Sequence, residues 1–129
     1  MSTIFTKIIK GDIPSYKVAE NEKFYAFLDI DPNAKGHTLV VPKKEVNKLF
    51  DLDEDTYLEL MRFSREIGIA LKKVIPCERI GMTVIGLEVP HVHVHLIPLN
   101  AMEDIQFMKK VVLSPDEFLQ IAKSISEKL

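Results

Sequence analysis

The segment PHVHVHLIP, residues 90–98, restricts the fold of this chain more than any other stretch, because it alternates two kinds of side chain between two prolines. Strict alternation is typical of a β-strand, in which residues two apart point to the same side. The apolar Val92, Val94 and Leu96 would then face a core, while three histidines form a row on the other face at spacings of about 6.6–6.8 Å. A slip of one residue would exchange the two faces, so the pattern also fixes the register.

The remaining β-prone stretches predict an antiparallel sheet. Strands are predicted at residues 16–20, 23–29, 38–42, 80–86 and 92–98. The dipeptide Asn-Glu between the first two strands predicts a tight hairpin, and the last two lie close enough in sequence to pair around a turn at residues 87–90. We therefore expect about five strands, with the histidines on the last one.

Two stretches predict helices. Over residues 53–75 apolar side chains recur at helical spacing, with Asp53 as the N-cap. Near the C-terminus, Ser114 and Glu117 form a capping box at the start of a helix that runs from Pro115 to near the end of the chain. The elements together predict an α+β fold in which the long helix covers one face of the sheet.

Composition indicates one compact unit. The 129 residues are 47% hydrophobic, enough to bury a core, and we expect a single domain over residues 1–129. A net charge of -2 and an isoelectric point near 6.1 argue against nucleic acid or a membrane surface as a partner. The lone cysteine, Cys77, can form no internal disulfide, and the N-terminus lacks the apolar core of a secretion signal, so we expect a cytoplasmic protein.

Three explanations of the histidine row follow from the residues alone. The row could face solvent, although three histidines in register make that explanation weak. A His-x-His pair on a strand can place two imidazoles on zinc, and a distant carboxylate such as Glu45 or Glu88 could complete the site. A neutral imidazole can also attack phosphorus while a neighbouring histidine serves the leaving group. The residues alone leave the metal site and the phosphorus chemistry open.

The motif HVHVHLI resembles the His-φ-His-φ-His-φ-φ signature, with φ apolar, of the histidine triad (HIT) superfamily of nucleotide-binding hydrolases and transferases. The similarity covers residues 3–99, because IFTKIIKGDIP and FYAFLDIDPNAKGHTLVVPKK stand in the family's order and spacing. It is strongest to the nucleotide-binding phosphoramidase branch. We expect no cofactor, and the resemblance implies a homodimer that uses the long helix and an exposed strand.

The resemblance implies a role for each histidine of the chain. His93 would be the nucleophile that takes the nucleoside monophosphate, and His95 would contact the phosphate and assist the leaving group. His91 would orient neighbouring groups. His37, in GHTLVVPK, would support the nucleophile.

A purine nucleotide site is implied in the same way. The family holds the nucleoside between apolar side chains, and the matching positions here are Ile4, Phe5, Ile8, Phe27 and Ile30. Asp29 would accept hydrogen bonds from the ribose hydroxyls, and backbone N–H groups near Gly86 would bind the phosphate. Apolar walls read little of a purine's identity, so we expect modest selectivity for the base.

Two regions depart from the family's pattern. Many members carry a zinc site with Cys-x-x-Cys near the N-terminus and a further histidine after Pro-Lys-Lys; this chain has Thr3, Thr6 and Glu45 there, so no such metal is expected. Before the triad, Leu87 and Glu88 replace part of a Gly-Gln-(Ser/Thr)-Val motif that contacts phosphate. A carboxylate beside phosphate is repulsive unless it points away or is protonated.

The expected activity is hydrolysis of nucleoside monophosphate conjugates of the phosphoramidate type, through a nucleotidyl-His93 intermediate that water cleaves. Two alternatives stay open. One is a dinucleoside polyphosphate hydrolase, which substrate preference would distinguish. The other is a nucleotide-binding regulatory protein with little turnover, which the altered residues Leu87 and Glu88 would favour.

Overall fold

The computed structural model describes residues 2–129, and within them it contains one five-stranded sheet and three α-helices. The elements in chain order are α1 (Ile4–Ile9), β1 (Lys17–Glu20), β2 (Phe24–Leu28), β3 (Thr38–Pro42), α2 (Glu54–Val74), β4 (Arg79–Thr83), β5 (Val94–Leu99) and α3 (Pro115–Ser126). Short 3-10 helices lie at Leu49–Asp51 and Met102–Ile105. Neighbouring strands pair antiparallel in the order β1-β2-β3-β5-β4, which confirms the predicted α+β architecture.

Side chains alternate along the strands and give the sheet two buried faces. Val94 and Leu96 of β5 lie in the main core, on the face that α2 and α3 cover. The other main-core side chains from the central strands and α2 are Phe24, Ala26, Leu28, Val40, Leu60, Ile67 and Leu71. A second apolar cluster contains residues of α1, β2 and β3, namely Phe5, Ile8, Tyr25, Phe27, Leu39 and Val41. The sheet is therefore covered on both sides.

Most predicted element boundaries are confirmed. β1 and β2 lie within the predicted ranges, and β3 matches its range. Asp53 caps α2 by accepting a hydrogen bond from the N–H of Thr56 at 3.1 Å, and Ser114 and Glu117 form the predicted capping box of α3. Within the part of the chain that the structure describes, no helix is both long enough and apolar enough to cross a membrane.

The first helix, α1, is absent from the sequence predictions. It has six residues, too few for apolar periodicity to show, and the side chain of Thr3 caps it by accepting from the N–H of Thr6. Its buried residues Phe5 and Ile8 pack onto the face of the sheet that carries the histidines. This short helix is what buries that face.

The prediction that all three triad histidines lie on a strand is wrong. β5 begins at Val94, so only His95 lies within it, while His91 and His93 lie in the segment that precedes it. The histidines are also not a solvent-facing row, because His91 is 0% exposed and the other two are each 7% exposed. The apolar residues between them do occupy the main core, so the two faces are assigned correctly.

The strand predicted at residues 80–86 is also too long at its C-terminal end. β4 ends at Thr83, which pairs with His95, and the connection to β5 is longer than the predicted turn at 87–90. Gly86 has a φ of 73°, which interrupts extended backbone, and Pro90 has no N–H to donate to a neighbouring strand. Both residues lie in the connection between β4 and β5, and neither fits a regular strand continued through it.

Substituting Gly36 by alanine is expected to destabilise the fold by more than about 1 kcal/mol. Gly36 has a φ of 93°, and an added Cβ would lie 2.7 Å from Cγ1 of Ile75 and 3.0 Å from Cδ1 of Leu71. Gly11 is a matched control, because its φ is 83° but an added Cβ there would meet no atom within 4 Å. Urea unfolding should show a clearly larger loss for Gly36→Ala than for Gly11→Ala, and equal losses would contradict this account.

Candidate active site

A cavity of about 540 Å³ opens on the α1 side of the sheet. Its lining includes every residue expected to bind nucleotide and two of the expected catalytic histidines: Ile4, Phe5, Ile8, Phe27, Asp29, Ile30, Gly86, His93 and His95. Phe5, Ile8 and Phe27 are buried, whereas Ile4 and Ile30 are exposed. A smaller cavity beside α2, of about 300 Å³, has no histidine in its lining. The structure therefore gathers the predicted residues around one site.

A backbone carbonyl fixes the tautomer of His93. Its Nδ1 lies 2.7 Å from the carbonyl oxygen of His91, and a carbonyl can only accept, so Nδ1 carries a hydrogen and donates it. In the neutral ring, Nε2 then holds the lone pair. The Phe5 ring packs edge-on against this imidazole with 4.9 Å between ring centroids. His93 thus has a nucleophilic nitrogen on a ring held by two neighbours.

His37 and His95 form a hydrogen-bonded pair that fixes the opposite tautomer of His95. The backbone N–H of Asn33 donates to Nδ1 of His37 at 3.0 Å, so neutral His37 carries its hydrogen on Nε2. That Nε2 lies 2.9 Å from Nδ1 of His95 and donates to it. His95 therefore carries its own hydrogen on Nε2. At Nε2, His93 therefore offers a lone pair, whereas His95 offers an N–H.

Burial keeps the His37–His95 pair uncharged near neutral pH. The pKa of His37 is lowered to about 3 and that of His95 to about 4, mainly by burial and in smaller part by the neighbouring histidines and the positive charge of Lys110. The neutral rings agree with the tautomers that the hydrogen bonds require.

Acid is expected to weaken folding through this pair. An ordinary histidine has a pKa near 6.5, so as the pH falls below that value the unfolded chain binds protons that folded His37 and His95 do not. The free energy of unfolding should fall as the pH falls from about 6.5 to about 4, by at most about 1.4 kcal/mol per pH unit for each histidine. Urea unfolding across this window measures the slope. His37→Leu should have a shallower slope than the wild type, and identical slopes would contradict this assignment.

A hydrogen-bond network joins α1 to the first triad histidine. Nε2 of His91 donates to the carbonyl oxygen of Pro42 at 2.8 Å, so in the neutral ring Nδ1 accepts from the hydroxyl of Thr3 at 2.7 Å. Burial lowers the pKa of His91, which favours that neutral ring. Glu45 closes the network by accepting from the N–H of Thr3 at 2.8 Å and from the hydroxyl of Thr6 at 2.7 Å. The wall of the cavity is thereby tied to the triad.

The residues that stand where the resemblance would put a zinc site do not fit that metal. Structural zinc takes thiolates and imidazoles, whereas Thr3 and Thr6 offer neutral hydroxyls and only His91 offers a ring nitrogen. The hydroxyls, the Glu45 carboxylate and the imidazole also already satisfy one another by hydrogen bonds.

A second group of potential metal ligands lies deeper. Within residues 2–129, Asp29, His37 and His95 each place one ligand atom within 4.8 Å of the others. Both ring nitrogens of His37 have hydrogen-bond partners, so a cation here would have to break the bond between the histidines. Burial raises the pKa of Asp29, while its Oδ1 accepts from the N–H of Asp31 at 2.9 Å. Hydrogen bonds account for this arrangement without a metal.

The two residues that depart from the family's phosphate motif lie at the cavity but are not buried against the triad. Leu87 is 90% exposed, and Glu88 is exposed as well. Gly86, beside them, has a positive φ and lines the same cavity. Any phosphate contact from this loop would come from its backbone.

Phe107 and Lys110 are among the lining residues that sequence reasoning missed. The Phe107 ring lies edge-on to His95 with 4.9 Å between centroids, and Nζ of Lys110 lies 5.1 Å from the centroid of Phe107. The same Nζ donates to Oδ1 of Asn33 at 2.9 Å. These residues come from the irregular segment after β5, where QFMKK carries no motif that distinguishes Lys110 from its neighbour Lys109.

Known proteins resemble this chain over most of its length. The HIT domain family matches residues 10–102. The adenosine 5'-monophosphoramidase hnt1 of Schizosaccharomyces pombe is 34% identical, with 100% of this chain and 99% of that protein covered. The adenosine 5'-monophosphoramidase HNT1 of Saccharomyces cerevisiae is 41% identical over 74% of this chain and 61% of that protein. The crystal structure of a Hit-like protein involved in cell-cycle regulation from Bartonella henselae superposes with a TM-score of 0.86 at 32% identity, covering 99% of this chain and 96% of that chain. Motif, fold and relatives agree, and the chain is a member of the HIT domain family.

Proposed function

We propose that this protein hydrolyses nucleoside monophosphate conjugates of the phosphoramidate type, in which the nucleotide phosphorus is joined to an amine. The observation that carries the proposal is the opposite tautomers of His93 and His95 beside a cavity of about 540 Å³. Two yeast relatives named adenosine 5'-monophosphoramidase support the same substrate class.

The cavity suits a nucleoside with one phosphate. Phe5, Ile8 and Phe27 supply apolar walls for a purine, and the half-buried Asp29 is the carboxylate that would accept from the ribose hydroxyls. Backbone N–H groups near Gly86, in the loop between β4 and β5, would donate hydrogen bonds to the phosphate. A nucleotide held in this way would have its phosphorus beside His93.

The reaction then takes two displacements at phosphorus. Nε2 of His93 attacks, the bond from phosphorus to nitrogen breaks, and the positive imidazole that results is stabilised because its Nδ1–H donates to the carbonyl of His91. The N–H on Nε2 of His95 donates a hydrogen bond to the leaving nitrogen, which takes its proton from solvent and departs as the amine. Water next attacks phosphorus, releases the nucleoside monophosphate and a proton, and returns His93 to its neutral form.

Hydrolysis assays test this proposal. Wild-type protein is given an adenosine phosphoramidate and, in parallel, a diadenosine polyphosphate at matched concentration. We expect faster turnover of the phosphoramidate and an acid-labile nucleotidyl adduct by mass spectrometry. Preference for the polyphosphate would assign the protein to the other hydrolase class, and AMP binding without turnover of either compound would overturn the enzymatic proposal in favour of a regulatory one.

We also propose that residues 1–129 act as one HIT domain, that the protein works in the cytoplasm, and that it is a homodimer. β4 ends the sheet, its Met82 is 48% exposed, and Leu58 and Ile69 of α2 are 49% and 44% exposed. Light scattering at micromolar concentration should give about twice the chain mass of 14.7 kDa. A mass of one chain would contradict the dimer.

A further inference from the structure

The charges around the cavity do not suit an anion at first sight. Three carboxylates line it, those of Asp29, Asp31 and Glu88. Among the lining residues of the part of the chain that the structure describes, Lys110 is the sole lysine or arginine. His37 and His95 are uncharged near neutral pH, as shown above. A nucleotide phosphate in this cavity therefore needs Lys110 as its counter-charge.

Contacts with Asn33 and Phe107 hold the Lys110 ammonium in place and use only part of its hydrogen-bond donors. Its ammonium has three N–H groups, one of which donates to Oδ1 of Asn33 at 2.9 Å. The Phe107 ring, 5.1 Å from Nζ, adds a cation–π contact, and Val111 anchors the segment by donating to the carbonyl of Pro32 at 2.9 Å. The remaining N–H groups are available to a ligand.

The position of Lys110 is coupled to the His37–His95 pair through one residue. Asn33 accepts from Lys110 with its side chain and donates to His37 with its backbone, and its Nδ2 donates to the carbonyl of Asp104 at 3.2 Å. Phe107 in turn packs on His95. The segment after β5 is thus fastened directly beside the proposed leaving-group histidine.

We propose that Lys110 binds a non-bridging phosphate oxygen of the nucleotide and supplies the contact that Leu87 and Glu88 do not. The inference rests on the proposed function and deepens it. With one cation among three carboxylates, the site favours a substrate with a single phosphate and an uncharged or cationic leaving group over one with further phosphates.

Binding calorimetry with AMP and adenosine tests the assignment, because the two ligands differ only in the phosphate. Lys110→Gln should bind AMP about 10- to 100-fold more weakly than the wild type, the usual range for one charge-assisted hydrogen bond, and bind adenosine as the wild type does. Lys110→Arg should retain most of the AMP affinity. Lys109→Gln is the matched control, because Lys109 is exposed, pairs with Glu103 at 3.3 Å and does not line the cavity.

The possible results distinguish the role of Lys110, the preference for a single phosphate and the proposed function. Equal AMP affinity in the wild type and Lys110→Gln, or an equal loss for AMP and adenosine, would overturn the role of Lys110 while leaving the proposed function intact. Tighter binding of ADP or ATP than of AMP by the wild type would overturn the preference for a single phosphate. A folded wild type that binds neither AMP nor adenosine would overturn the proposed function, and the role of Lys110 with it.

Discussion

Replacing His93 by alanine is expected to lower kcat for an adenosine phosphoramidate by at least about 10³-fold, because loss of a nucleophile removes the covalent route entirely. Mass spectrometry of this variant should also show no acid-labile nucleotidyl adduct. AMP binding should persist, since the apolar walls, Asp29 and Lys110 are unchanged.

Chemical rescue separates loss of the nucleophile from loss of the fold. In His93→Gly, added imidazole can occupy the space of the missing ring and restore part of the turnover. Urea unfolding of both variants checks that the folded state is retained. Turnover in His93→Ala close to that of the wild type would show that another group attacks phosphorus.

Replacing His37 by leucine is expected to lower kcat by about 10²-fold, the range for a misplaced acid or base, with a much smaller change in KM. Leucine cannot donate to Nδ1 of His95, so His95 no longer holds its hydrogen on Nε2 as required. The N–H of Asn33 also loses its acceptor, at a cost of about 1–3 kcal/mol in stability.

A conservative variant distinguishes positioning from simple destabilisation. The amide of His37→Gln has both a donor and an acceptor, so it can replace the two hydrogen bonds in part and should recover kcat relative to His37→Leu. Stability and kcat are measured on both variants in parallel. Equal kcat in Gln and Leu variants of unequal stability would contradict the positioning role.

The features of the fold that the sequence predicts correctly depend on patterns among residues close together in the chain. The N-caps Asp53 and Ser114 fix helix ends through contacts three residues away, and alternation assigned Val94 and Leu96 to the core correctly. The strand ends around the triad were not predictable in the same way. Gly86 and Pro90 lie in the connection there, and their effect on pairing requires knowing which strand lies opposite.

The candidate site also contains residues that the sequence predicts and residues that it does not. The expected nucleotide and triad residues could be proposed because their motifs have characteristic spacing. The structure gathers the nucleotide residues, His93 and His95 around one cavity, whereas His91 and His37 are buried and do not line it. Lys110 could not be proposed, because its meaning comes from Asn33, 77 positions away, and from the carboxylates around it. The bond between Thr3 and His91 spans 88 positions and leaves no local pattern.

The shortness of α1 has a consequence for the local stability of the cavity wall. Isolated helices shorter than about 12–15 residues are only marginally stable in water, and α1 has six, so its order depends on Glu45, His91 and the packing of Phe5. One wall of the cavity can therefore melt locally while the sheet and α2 stay folded. Its amide hydrogens should exchange with solvent far sooner than those in the middle of α2.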